Sequence, residues 1–154
     1  MMASNHMLAG AVVATGVQQP LLIVPLAFAS HFLLDMLPHF GVHEQDHSKR
    51  NKHPLFRYIL VIDIALVVSL LAILPFVLKG AISGWALLLG MVLAWIPDAV
   101  WVHHFIHRHK GRIIPHGWLS KFHEKIQWFE RPPGIIIELV WFFGMGITLG
   151  FLAG

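Results

Sequence analysis

The chain alternates long apolar runs with short polar ones, and the lengths of the runs are its first structural signal. Four stretches, 20–37, 58–78, 81–102 and 134–154, are long enough to cross about 30 Å of hydrocarbon at about 1.5 Å per residue. A fifth, 6–17, is too short for a full span. Its Gly10, Ala11, Ala14 and Gly16 suit close helix packing, and a tight Gln18-Gln19-Pro20 turn pairs it with the next stretch. Pro25, Pro75 and Pro97 lie inside spans, where kinks are tolerated if neighbours satisfy the freed carbonyls.

Two polar segments, Gly41–Arg57 and His103–Arg131, separate the spans. Within the second, Trp118, Leu119, Phe122, Ile126 and Phe129 fall on one helical face, and Lys121, Glu124 and Lys125 on another. That pattern predicts an amphipathic helix over about 116–130, lying in the interface plane or packed under the bundle. The expected fold is all-α: a polytopic transmembrane helical bundle forming one domain, 1–154. It has four full spans, a short N-terminal helix and an interfacial amphipathic helix.

Composition strengthens this picture. Only 12% of residues are charged, where about a quarter is usual for soluble domains. The absence of cysteine excludes disulfides and thiolate metal sites. No signal peptide is expected, because the first apolar run lacks a basic leader and a small-residue exit. The net charge of +3 points to anionic membrane lipid and not to nucleic acid, since the basic residues flank apolar stretches. Ten of the 11 Lys and Arg lie in the two polar segments, and only Lys79 lies in the opposite turn. The positive-inside rule then predicts a bacterial cytoplasmic (inner) membrane protein with its N-terminus and both basic loops inside. All 12 histidines fall on that same side.

Each long stretch also contains one acidic residue: Asp35, Asp63, Asp98 and Glu138. They lie about two, five, four and four residues from the predicted inner ends, a single layer within roughly 10 Å of the boundary. Ionised carboxylates in hydrocarbon cost several kcal/mol, so such groups turn inward and find partners. His31, Asp35 and His39 are spaced i, i+4, i+8, which places His31 and Asp35 on one face, a turn apart. Imidazole beside carboxylate suits one or two divalent ions, with zinc favoured. His6 enters the same layer from the first helix, and Asp98 follows Pro97. The expected metal ligands are His6, His31, Asp35, Asp98 and His39, and the expected general bases are Asp63 and Glu138. His103 and His104 are further ligand candidates, whereas His107, His109, His116 and His123 read as interfacial. The competing reading of any single position is a helix-bridging Asp or a hydrogen-bonded core His.

His43-Glu44-Gln45-Asp46-His47 matches the zincin motif H-E-x-x-H, in which two His hold zinc and Glu acts as base. Its polar surroundings, after Pro38 and Gly41 and before Ser48-Lys49-Arg50-Asn51-Lys52, favour a solvated loop over a zinc metallopeptidase helix.

Asn5-His6-Met7-Leu8-Ala9-Gly10 resembles the N-terminal His-x-x-x-Gly of YdjM-type membrane-bound metal-dependent hydrolases. Ser30-His31-Phe32-Leu33-Leu34-Asp35 resembles their His-x-Leu-Leu-Asp stretch, and Ile96-Pro97-Asp98 their Pro-Asp turn. Three departures stand out, one of them the lack of a clear His-Arg-Gly-type segment. The Pro-Asp turn follows the His-x-x-x-Asp helix instead of preceding it, and Val100 replaces the turn's second Asp. The resemblance implies a membrane-embedded metal-dependent hydrolase. Location at headgroup depth suggests a lipid or lipid-linked phosphoester as substrate, with Lys49, Arg50, Lys52, Arg108 and Arg112 attracting its anionic head. The rival expectation is a non-enzymatic membrane protein with a structural or ion-handling His/Asp cluster. The scarcity of ionisable groups in the outer half disfavours a transport pathway.

Overall fold

The computed structural model describes residues 1–42, 53–109 and 117–154, and these are all-helical apart from turns and two isolated bridges. The helices are α1 (Ala3–Val17), α2 (Pro20–Asp35), α3 (Pro54–Val77), α4 (Gly84–His109), α5 (Trp118–Ile126) and α6 (Ile135–Ala153). A 3-10 turn, Pro132–Gly134, leads into α6.

Local chemistry sets several boundaries. Gln18 adopts the left-handed conformation (φ 60°) and donates its N–H to the Ala14 carbonyl at 3.0 Å, ending α1. Pro20 and Pro54 open α2 and α3, where the missing N–H costs no helical bond. Helix α2 stops at Asp35, shortly before Pro38, whose ring disfavours helical geometry at Leu37.

The short α1 is the hub of the bundle, packing on α2, α3, α4 and α6. Its contact with α4 is closest where Gly10 meets Gly90. A Cβ added at Gly10 would collide with the Gly90 carbonyl, and one at Gly90 would lie 2.5 Å from the Gly10 carbonyl oxygen. Backbones approach this closely only across glycine. Met7, Leu8, Ala11, Leu34, Leu87, Met91, Met145 and Leu149 fill the core around this crossing.

Among the described residues, two helical segments are long and apolar enough to cross a membrane, Pro54–Val77 and Pro132–Ala153. Four full spans are not supported among the described residues. At 16 residues, α2 reaches about 24 Å, short of the about 30 Å of a hydrocarbon core. Within α4, the described apolar stretch is Gly84–Ala99. Both long segments turn most of their apolar surface outward, as Val61, Val68, Phe76, Val140, Ile147 and Phe151 illustrate.

Candidate metal centre

Four elements converge on a polar centre at one end of the bundle. The last turns of α2 present His31 and Asp35 at i, i+4, both fully buried. From α4, just past the kink-inducing Pro97, comes Asp98. Helix α5 contributes His123, and α1 contributes the buried His6. One ligand atom from each of His31, Asp35, Asp98 and His123 lies within 4.8 Å of all the others.

The four could hold a metal ion, and they meet one another at hydrogen-bonding and ion-pair distances. His31 Nε2 lies 3.2 Å from Asp35 Oδ2 and 3.9 Å from Asp98 Oδ1. His123 Nε2 lies 2.5 Å from Asp35 Oδ2, 3.9 Å from Asp98 Oδ1 and 3.1 Å from His31 Nε2. His6 Nε2 approaches the other carboxylate oxygens, 3.1 Å from Asp35 Oδ1 and 3.9 Å from Asp98 Oδ2. The amino nitrogen of Met1 is 2.6 Å from Asp35 Oδ1.

The outer contacts fix the imidazole of His31. Its Nδ1 is 2.8 Å from the Ala94 carbonyl, which only accepts, so the proton resides on Nδ1. Its Nε2 faces two carboxylates and a second imidazole. Metal-ligating histidines commonly carry this arrangement, with the distal N–H bound to a backbone carbonyl. Gln127 Nε2 donates to Asp35 Oδ2 at 3.1 Å, and the rings of His6 and His31 stack 4.0 Å apart. Asp98 and His123 retain 20% and 12% side-chain exposure, so the centre is open on their side.

The other two acids in the layer meet different partners. Asp63 accepts the N–H groups of Ala3 at 2.8 Å and Ser4 at 2.9 Å. Glu138 accepts Met2 N–H at 3.1 Å, Asn5 Nδ2 at 2.6 Å and Phe40 N–H at 3.3 Å. Helix α1 has no side-chain cap of its own, so these carboxylates satisfy its orphan amides and complement its positive dipole end.

Of the residues proposed from the sequence, His6, His31, Asp35 and Asp98 are brought together. His39 is not among them: its Nδ1 donates to the Leu37 carbonyl at 2.8 Å, and burial pushes its pKa down to about 4. Pro38 breaks the helix that an i+8 spacing assumed, and residues 39–41 pair with 129–131 instead. His103 lies on α4, exposed, and belongs to no metal-holding group among the described residues. The side chains of His104, His107, His109 and Arg108 lie outside the described residues, as do His43–His47, His116, Lys49, Arg50, Lys52 and Arg112.

Sequence reasoning placed His123 at the interface and passed over Gln127. A signal was present. His123 shares the α5 face of Leu119, Phe122 and Ile126, the face an amphipathic helix turns to its bundle. Phe122 meets Phe32 edge-on at 5.5 Å, which seats α5 against α2 and swings His123 inward. No protein-family model, curated protein or solved structure matches this chain.

Proposed function

We propose that this protein is a membrane-embedded, metal-dependent hydrolase with a divalent ion held by His31, Asp35, Asp98 and His123. The convergence of four ligand atoms within 4.8 Å of one another carries this reading. With the Nδ1 proton committed to Ala94, Nε2 faces an imidazole nitrogen at 3.1 Å and a carboxylate oxygen at 3.2 Å. A cation among them would be ligated by all four side chains. Two imidazoles with two carboxylates suit zinc. The partial exposure of Asp98 and His123 supports an open coordination position, which catalytic sites need and structural sites lack.

When bound, such an ion polarises a phosphoryl or acyl oxygen and lowers the pKa of water toward neutrality. In phosphoester hydrolysis the water oxygen bonds to phosphorus and the bond to the leaving oxygen breaks. That leaving oxygen takes one of the water protons. Asp63 and Glu138, engaged with the amides of α1, serve in this reading as positioning groups and not as general bases.

The outward apolar faces of α3 and α6 support a membrane location, and the exposed Trp118 and Trp128 near the centre suit its interface. The clustering of basic residues supports a cytoplasmic orientation in a bacterial inner membrane. A centre at that depth favours a lipid or lipid-linked phosphoester. The His6, His31–Asp35 and Pro97-Asp98 motifs, which resemble those of YdjM-type hydrolases, support the same class.

A second reading, a metal or polar cluster that only holds the fold, is favoured by the complete burial of Asp35 and by the capping role of Asp63 and Glu138. Metal analysis of purified wild type, Asp35→Asn and His31→Ala, with phosphate release from lipid phosphoester vesicles, separates the two. Metal in the wild type only, with hydrolysis, is the expected result. Firmly bound metal without hydrolysis favours the structural reading. A metal-free wild type, or metal retained in both variants, removes the ligand assignment.

A further inference from the structure

Asp35 and Asp98 each show one oxygen to either side of the centre. On one side, Asp35 Oδ2 and Asp98 Oδ1 meet His31 and His123. On the other, Asp35 Oδ1 and Asp98 Oδ2 meet His6 at 3.1 and 3.9 Å. His6 is not in the group of four whose ligand atoms all lie within 4.8 Å of one another, and it meets the opposite carboxylate oxygens, so a single ion held by those four leaves it aside. We infer that the centre is dinuclear: Asp35 and Asp98 bridge two divalent ions, with His31 and His123 holding one and His6 holding the other. This inference rests on the metal-centre reading above and extends it.

Charge gives the centre a chemical preference. Two carboxylates carry −2 and imidazole ligands are neutral, so two divalent ions leave +2 beside the opening at Asp98 and His123, and a protonated Met1 amino group adds to that excess. An anionic ligand with several oxygens, such as a phosphate group, matches that excess better than a neutral ester or amide.

The two positions are unequal. His31 is fixed by the Ala94 carbonyl, whereas His6 Nδ1 is buried without a partner among the described residues. Loss of such an outer contact typically costs 10–100-fold in metal affinity, so the His6 position fills second and is weaker by about that factor. The amino nitrogen of Met1, 2.6 Å from Asp35 Oδ1, competes for the same side.

The test uses the full chain in detergent, stripped with chelator and then titrated with Zn²⁺ or Mn²⁺, with elemental stoichiometry and electron paramagnetic resonance. Wild type should bind two ions in two phases, and the Mn²⁺-loaded protein should show a spin-coupled signal. His6→Asn and His6→Gln should each bind one ion, keep the tight phase and give an uncoupled six-line spectrum. Retention of the tight phase shows that the variants are folded. One ion in wild type, unchanged by either substitution, overturns the dinuclear assignment and leaves the single-metal reading standing. Two uncoupled ions overturn the carboxylate bridge. No bound metal at all overturns both readings.

Discussion

The Nε2 atoms of His31 and His123 lie 3.1 Å apart, and Nδ1 of His31 donates to the Ala94 carbonyl at 2.8 Å. A cation between the rings would hold both as ligands. Metal should therefore stabilise the fold. At a free concentration 100 times Kd, binding contributes about 2.7 kcal/mol. Chelator should lower the melting temperature by several degrees, and zinc should restore it. In His123→Ala the chelator effect should shrink strongly, and an unchanged effect would place the metal elsewhere.

Asp63 and Glu138 illustrate what sequence could and could not reveal. Their shared depth was legible, because span ends and residue positions fix the level of a side chain along a helix. Their partners were not: which backbone amides a carboxylate meets depends on how α1 enters the bundle. Likewise, the His31–Asp35 pair followed from a spacing of four within a helix. His39 did not follow from a spacing of eight, because Pro38 ends the helix between them. The length of α2 was overestimated for the same reason. His123 falls on the side of α5 that carries Leu119 and Ile126, yet an amphipathic face does not say whether lipid or protein covers it.

Because Asp63 supplies the cap that α1 lacks, Asp63→Asn should destabilise by about 1–2 kcal/mol, the usual range for losing a charged cap partner. Metal stoichiometry should stay at the wild-type value, since Asp63 contacts none of the clustered imidazoles among the described residues. Thermal melting and elemental analysis on the same preparation check both halves. A metal-depleted but equally stable variant would place Asp63 in the centre instead.

The glycine crossing of α1 and α4 makes a steric prediction. Gly10→Ala drives a methyl group into the Gly90 carbonyl, which is backbone and cannot swing aside. Overpacking of this kind costs about 1–3 kcal/mol. Gly150→Ala, where a Cβ meets nothing within 4 Å, is the control and should melt like wild type. Equal melting of both variants would mean that α1 and α4 do not cross at Gly10 and Gly90.

His39 links stability to pH. Burial lowers its folded pKa from 6.5 to about 4, so between these values the unfolded chain binds a proton that the folded chain does not. Stability from this residue is present above pH 6.5 and is lost as pH falls toward 4, by about 3 kcal/mol in all. The measurement belongs in chelated protein, because metal release on acidification would add its own slope. Melting curves at pH 7.5, 5.5 and 4.5 should show wild type losing stability with acid and His39→Gln losing less by one proton's worth. Parallel curves for the two proteins would mean that His39 titrates normally, and that the pairing of residues 39–41 with 129–131 leaves it open to water.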